Sequence, residues 1–213
     1  MVRVIVIRHG YSVANKEAFF SGQMDVALDE VGYQQAEMVS KCVLENFTVD
    51  KVYASDLSRA CNTVKPIADA LGLEIIKRKD LREADVGKWH GLKIDDVVNH
   101  FPESFAKYKE NPGESGFDGG ETYAELQARM VAAINEIIAE NEGKTVVIGS
   151  HGGTIRSWLC YWLGIPLREL GKVPHVPNTS ITVADFENGH VKFERIGFCG
   201  HLDEMNSSAD ELR

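Results

Sequence analysis

The sequence predicts an α/β fold, a three-layer sandwich with a mostly parallel central sheet, an antiparallel hairpin near the C-terminus and a small helical insertion over the candidate site. Three observations predict it. Short β-branched runs alternate with segments of helical period, the pattern of helices crossing over a parallel sheet. Three of these runs end directly on polar and titratable residues, as strands do where a ligand binds beyond their carboxyl ends. Asn188-Gly189 separates two apolar runs close to the end of the chain, a strong hairpin turn signal.

Residues 2–7 read Val-Arg-Val-Ile-Val-Ile, which suits a strand buried on both faces and ending at Arg8-His9-Gly10. Ala36, Val39, Val43 and Phe47 recur at spacings of three and four, predicting an amphipathic helix that ends near Asn46. Residues 51–54 predict a second strand, with Ser55 and Asp56 as caps for a helix whose first turn holds Arg59. A short strand is expected at 74–77, and the stretch 81–91, which carries Glu83, has no helical period. Residues 95–118 end in a Pro/Gly-rich stretch and read as the insertion. Thr122 and Glu125 form a capping box for a long helix, its buried face marked by Tyr123, Leu126, Met130, Ile134 and Ile137, that stops near Gly143. Residues 145–149 predict another buried strand, which delivers Ser150-His151-Gly152-Gly153 to a helix carrying Ile155, Trp158, Leu159 and Trp162. The hairpin strands are expected at 181–186 and 191–196.

The 213 residues carry Lys+Arg 23 against Asp+Glu 32, a net charge of -9, and are 44% hydrophobic. This suits a single domain over 1–213, with the insertion at 95–118 and a polar tail at 203–213. The acidic balance argues against a nucleic-acid or anionic-membrane partner, so an anionic ligand must be held by locally placed arginines. No apolar run reaches membrane length. Cys42, Cys61, Cys160 and Cys199 show no C-x-x-C spacing and read as reduced thiols, so a cytoplasmic protein is expected. It is expected to be a monomer or homodimer, with the apolar segment 158–163 or an edge strand as candidate dimer contacts.

The three strand ends bring Arg8-His9-Gly10, Ser55-Asp56-Leu57-Ser58-Arg59 and Ser150-His151-Gly152 to one edge of the sheet. Two histidines and two arginines at one rim, with Gly10 and Gly152 permitting close backbone approach, describe a pocket for a phosphoryl group. Carboxylate binding alone would not explain the histidines. Neutral imidazole attacks phosphorus and leaves again readily, which makes His9 the candidate nucleophile. The guanidinium groups favour its neutral form and stabilise the equatorial oxygens of the transferring group. His151 is expected to hydrogen-bond the same oxygens as an imidazolium. Glu83 is the candidate acid that protonates the leaving alkoxide and then deprotonates the attacking water or acceptor hydroxyl.

His90, His100, His175, His190 and His201 lack a zinc-binding spacing and are expected at the surface or in hydrogen bonds, with His175 outside the pocket. Trp89 is expected either to face the substrate or to pack in the core. Gly143-Lys144-Thr145 lacks the earlier glycine of a Walker A loop, and Gly149-Ser150-His151-Gly152-Gly153 has His where a nucleophile elbow needs Ser.

Arg8-His9-Gly10 with Ser12 and Asn15 resembles the R-H-G-x-[ST]-x-x-N signature of the histidine phosphatase superfamily, the phosphoglycerate-mutase-like proteins. Leu28 with Gly32 and Gln35-Ala36, Ser55 to Thr63 around Arg59, Leu81-x-Glu83 with Gly87 and Gly91, Gly119-Gly120-Glu121-Thr122 and Ser150-His151-Gly152-Gly153 resemble the later motifs, in order. The joint order over residues 2–202 is far more specific than any one motif. The resemblance implies a phosphohistidine on His9, a phosphate pocket completed by Arg8, Arg59 and His151, and Glu83 as general acid/base. It also implies substrate contacts from Gly10, Ser12, Asn15, Ser21, Gly22 and Gly152, and no metal.

The leading expectation is therefore a metal-independent phosphomonoester hydrolase for a small-molecule phosphate ester, with no cofactor. The alternative is a phosphoglycerate mutase primed by 2,3-bisphosphoglycerate. Mutases of the family usually follow the Glu with Arg and a Tyr-Gly pair, and carry paired arginines in the insertion; here Ala84-Asp85-Val86-Gly87 follows, and residues 105–109 hold lysines without an arginine pair. A noncatalytic phospholigand-binding protein is the alternative of another class.

Overall fold

The computed structural model describes residues 1–203, so the expected polar tail lies, but for its first residue, outside the described residues. Its strands are β1 (Val2–Arg8), β2 (Lys51–Ser55), β3 (Ile75–Arg78), β4 (Thr145–Ser150), β5 (Ile181–Glu187) and β6 (His190–Phe198). Its helices are α1 (Val13–Glu17), α2 (Glu30–Asn46), α3 (Ser58–Leu71), α4 (Ile94–His100), α5 (Pro102–Glu110), α6 (Tyr123–Ala139) and α7 (Gly152–Trp162). The sheet order is β3-β2-β4-β1-β5-β6, parallel from β3 to β1 and antiparallel from β1 through β5 to β6. The expected architecture is the observed one.

Successive side chains of a strand point to opposite faces, and β1 shows how this divides the core. Val4 and Val6 pack with Leu126, Met130 and Ile134 of α6 and Trp158 of α7. Ile5 and Ile7 pack with Val39 and Val43 of α2 and Val64 and Ile67 of α3. Because both faces are covered, every residue from Val4 to Ile7 is fully buried, which explains why the run does not alternate in polarity.

Two boundaries differ from expectation, each for a tertiary reason. Leu57 is the N-cap of α3 and gives no side-chain cap; Asp25 supplies one by accepting from the Ser58 amide at 2.7 Å. Asp56 instead forms a two-pronged pair with Arg82, at 2.6 Å on each prong. The capping box of α6 forms as expected, but the helix stops at Ala139, because Asn141 turns inward and donates to Ile137 O at 2.7 Å and Tyr53 Oη at 2.9 Å. Trp158 is wholly buried beside Phe186 and Phe193, while Tyr161 and Leu163 of the same segment are exposed.

The insertion forms α4 and α5, and α5 rests on Trp89 through Phe105 and Tyr108. From β1 the chain crosses to β2 on one side, and from β4 it crosses to β5 on the other, so a crevice opens beyond the carboxyl ends of the neighbours β1 and β4. No helix among the described residues is long and apolar enough to cross a membrane.

Candidate active site

His9 and His151 leave the adjacent ends of β1 and β4 and face each other with ring centroids 5.2 Å apart and planes tilted by 56°. His9 is 6% exposed and His151 fully buried. The Nδ1 of His9 lies 2.8 Å from the Gly10 carbonyl oxygen. A carbonyl only accepts, so Nδ1 carries the proton and Nε2 keeps the lone pair that a nucleophile needs. Burial first, and then the charges of Arg59 and Arg8, hold the His9 pKa well below the ordinary histidine value. His151 is lowered in the same way, by burial and then by Arg59, His9 and Arg8. Full burial among guanidinium groups thus disfavours the imidazolium expected at His151.

Both arginines of the site meet carbonyls rather than carboxylates. Arg8 donates from Nη1 to Val176 O at 2.8 Å, and Arg59 donates to Met24 O at 2.8 Å and Gly22 O at 2.7 Å. The Nε of each is buried without a partner among the described residues, as are both ring nitrogens of His151. Burial lowers the pKa of both arginines, partly offset by Glu83, and both stay cationic. Uncompensated donors of this kind at one place make an anion site.

Glu83 lies on the irregular segment that the sequence predicts, and its carboxylate rests on the first turn of α7. Oε2 accepts from the Gly153 amide at 3.0 Å. Oε1 accepts from the amides of Ala84 at 3.0 Å and Thr154 at 3.1 Å, with the Thr154 hydroxyl 3.0 Å away. A helix start is favourable ground for a carboxylate, and the absence of a Cβ at Gly153 leaves the room. A Cβ there would lie 2.7 Å from Oε1.

Several expected contact residues build the loop instead of lining the cavity. Ser12 caps α1, its hydroxyl accepting from the Asn15 amide while Asn15 Oδ1 accepts from the Ser12 amide. Gly10 packs on Gly32, where a Cβ would meet the Gly32 carbonyl oxygen at 2.7 Å. Thr63 accepts from the Gly10 amide at 2.9 Å and donates to Arg59 O at 2.7 Å, joining the two arginine motifs. Asn178, which sequence reasoning missed, donates to His9 O at 2.9 Å and Gly10 O at 3.2 Å. No local signal marks it, since it returns from a loop far along the chain.

A cavity of about 300 Å³ opens beside the histidine pair. Arg8, Ser21, Gly22, Glu83 and Gly152 line it as the sequence expects, while His9, Arg59 and His151 are buried alongside. Its outer wall is aromatic, with Phe19, Phe20, Tyr108, Phe117 and Tyr123. Trp89 does not line it and instead backs Phe20, Tyr108 and Phe117 from the core. Arg156 and His175 also line the cavity, the second against expectation: the loop preceding β5 folds back so that Val176 can accept from Arg8. His90 has a hydrogen-bonding role, accepting from the Gln23 amide at 3.1 Å. Among the described residues no cluster of His, Cys, Asp and Glu is placed to hold a metal ion.

Comparison with known proteins agrees with this geometry. The chain is 31% identical over 205 residues to phosphoserine phosphatase 1 of Hydrogenobacter thermophilus, covering 96% of each chain. It is 31% identical over 220 residues to the probable phosphoglycerate mutase GpmB of Yersinia pestis, covering both chains in full. Its fold superposes on Bacillus stearothermophilus YhfR with a TM-score of 0.91 and 27% identity, over 95% of this chain and 100% of that one. The model of the histidine phosphatase superfamily (branch 1) matches residues 4–198, and to that superfamily this chain belongs.

Proposed function

We propose that this chain is a phosphomonoester hydrolase that needs no metal and works through a phosphohistidine on His9. The observation that carries the reading is the pairing of a neutral His9, its Nε2 available, with Arg8 and Arg59, whose charges no carboxylate among the described residues pairs at close range, in reach of the Glu83 carboxyl. In the first step Nε2 attacks phosphorus while the ester P–O bond breaks, and the leaving alkoxide takes a proton from Glu83. In the second, water attacks the phosphoryl group and gives its proton to Glu83, and the P–N bond breaks to free phosphate and His9. Arg8, Arg59 and His151 hold the equatorial oxygens through both steps.

The cavity of about 300 Å³ and the aromatic wall favour a small phosphate ester. Relatives named for phosphoserine and for phosphoglycerate support the same class. A mutase reading has the full-length similarity to GpmB in its favour. Against it, the insertion brings Tyr108 and no arginine to the cavity, and Ala84 and Val86 line the wall beyond Glu83. Without a fixed hydroxyl acceptor, water completes the cycle, and no bisphosphate priming is required.

The test is phosphate release from p-nitrophenyl phosphate in EDTA by the native protein and His9→Ala. Release that persists in EDTA and disappears in the variant is expected. Release unaffected by the substitution would assign the nucleophile elsewhere, and none from the native protein would favour a phospholigand-binding role. Conversion of 3-phosphoglycerate to 2-phosphoglycerate faster than phosphate release from it would make the chain a mutase.

A further inference from the structure

We propose that Arg156 is the specificity residue of this site and recognises a carboxylate on the organic part of the substrate, so that the substrate is a short phosphorylated acid. This rests on the assignment of the cavity as the phosphate-ester site. The inference begins with how the arginines are paired. Arg3, Arg78, Arg82 and Arg129 each meet a carboxylate at hydrogen-bond distance. Arg8, Arg59 and Arg156, all beside the cavity, meet none among the described residues and are held by backbone carbonyls alone. Arg8 and Arg59 belong to the phosphoryl pocket. Arg156 is the third of the set and has no role there.

Arg156 is half-buried, and among the described residues only its Nη2 has an acceptor, Leu170 O at 2.7 Å, while its Nε is buried without a partner. A guanidinium removed from water with donors to spare is costly unless an anion completes it. A purely structural arginine tying α7 to the turn at Leu170 would need no place on the cavity wall, yet Arg156 lines it together with Glu83 and Gly153. Its position on α7 sets the distance. Arg156 lies three residues beyond Gly153 and four beyond Gly152, on the same helix face and about 5 Å along the axis. Its backbone therefore sits one helical turn along α7 from the Gly152-Gly153 end of the phosphoryl pocket, and its side chain reaches the same cavity wall, which suits an anionic group on a short ligand.

The rest of the wall supports an anion there. Glu83 is the one acidic side chain among the described lining residues, and it is already held by the amides of α7. Burial raises the pKa of Tyr108 and Tyr123, so both remain neutral and add no repulsion. One planar guanidinium matches a planar carboxylate edge to edge, whereas a second phosphoryl group would need the several donors that Arg8, Arg59 and His151 supply at the first.

The experiment compares 3-phosphoglycerate with glycerol 3-phosphate, which differ only in the carboxylate, as substrates in phosphate release and as ligands in calorimetry. The native protein is expected to favour 3-phosphoglycerate by about tenfold in kcat/KM, chiefly through KM. Arg156→Gln should bring the two esters to within about twofold, and Arg156→Lys, which keeps charge and length, should fall between. No preference in the native protein, or an equal loss on both esters in Arg156→Gln, overturns the assignment and leaves the hydrolase reading standing. Tighter binding of glycerol 1,3-bisphosphate than of 3-phosphoglycerate overturns the choice of a carboxylate. Carboxylate-selective binding that Arg156→Gln abolishes, without phosphate release, supports Arg156 and overturns the hydrolase reading.

Discussion

The Glu83 carboxyl must move a proton while gripped by the start of α7, and this sets two expectations at the scale of single residues. Glu83→Gln keeps the shape but moves no proton, so turnover of an alkyl phosphate should fall by about 10²–10⁴. The kcat/KM of p-nitrophenyl phosphate, which reads only the first step and whose leaving group needs little protonation, should fall much less; kcat/KM on the two esters reads the difference, because the second step needs Glu83 as base for both. Thr154 offers its hydroxyl at 3.0 Å from Oε1 and 2.9 Å from Arg82 O, so its single proton serves one of them at a time. Thr154→Val keeps the amide bond to Glu83 and removes only the hydroxyl, worth about 1 kcal/mol. A several-fold loss of kcat/KM on alkyl esters, smaller on the nitrophenyl ester, would mark Thr154 as a positioning residue; an equal loss on both would not.

At the scale of the element, Glu83 lies between two single 3-10 turns, Lys79–Leu81 and Gly87–Trp89, which pair few of the segment's carbonyls, so the rest must find partners elsewhere. Arg129 of α6 provides most of them, donating to Asp80 O at 2.7 Å, Arg82 O at 3.0 Å and Glu83 O at 3.3 Å while pairing with Glu121. Ser150 adds a bond to Leu81 O at 2.9 Å, which fastens the acid segment to the end of β4 beside His151. Arg129→Met should cost about 2–3 kcal/mol, because it leaves several acceptors and a carboxylate unpaired at once. Thermal unfolding measures that loss, and kcat should fall with it while p-nitrophenyl phosphate KM changes little. The insertion depends on Trp89 in a comparable way, through Phe105, Tyr108 and Phe117. Trp89→Leu should loosen the aromatic wall, raising KM more than it lowers kcat.

For the whole molecule, two buried neutral histidines make stability depend on pH. His9 and His151 titrate near the usual value of about 6.5 in the unfolded chain and well below it when folded. Below that unfolded value the unfolded state binds more protons than the folded one, so stability is full above about pH 6.5 and falls as the pH drops toward the folded values. Each ring contributes a slope of up to about 1.4 kcal/mol per pH unit in that window. Unfolding midpoints measured from pH 8 to pH 5 should therefore decline on the acid side, and His151→Asn should make the decline shallower. An unchanged slope in the variant would contradict a neutral buried His151.

The sequence by itself determined what depends on neighbours along the chain. Strand ends that carry Arg8-His9-Gly10 and Ser150-His151-Gly152 are legible because β-branched runs stop where polar groups begin, and Arg59 follows from the same signal after β2. The capping box at Thr122 and the hairpin at Asn188-Gly189 are local devices and formed as read. Tertiary structure decided whatever needed a distant partner. Asp25, rather than Ser55 or Asp56, caps α3; Asn178 braces the His9 loop; the loop at His175 reaches the cavity; and Arg156 stands on its wall. It decided charge as well. The lowered pKa of His151 comes from full burial among guanidinium groups that converge from β1 and α3, a desolvation that no stretch of sequence contains.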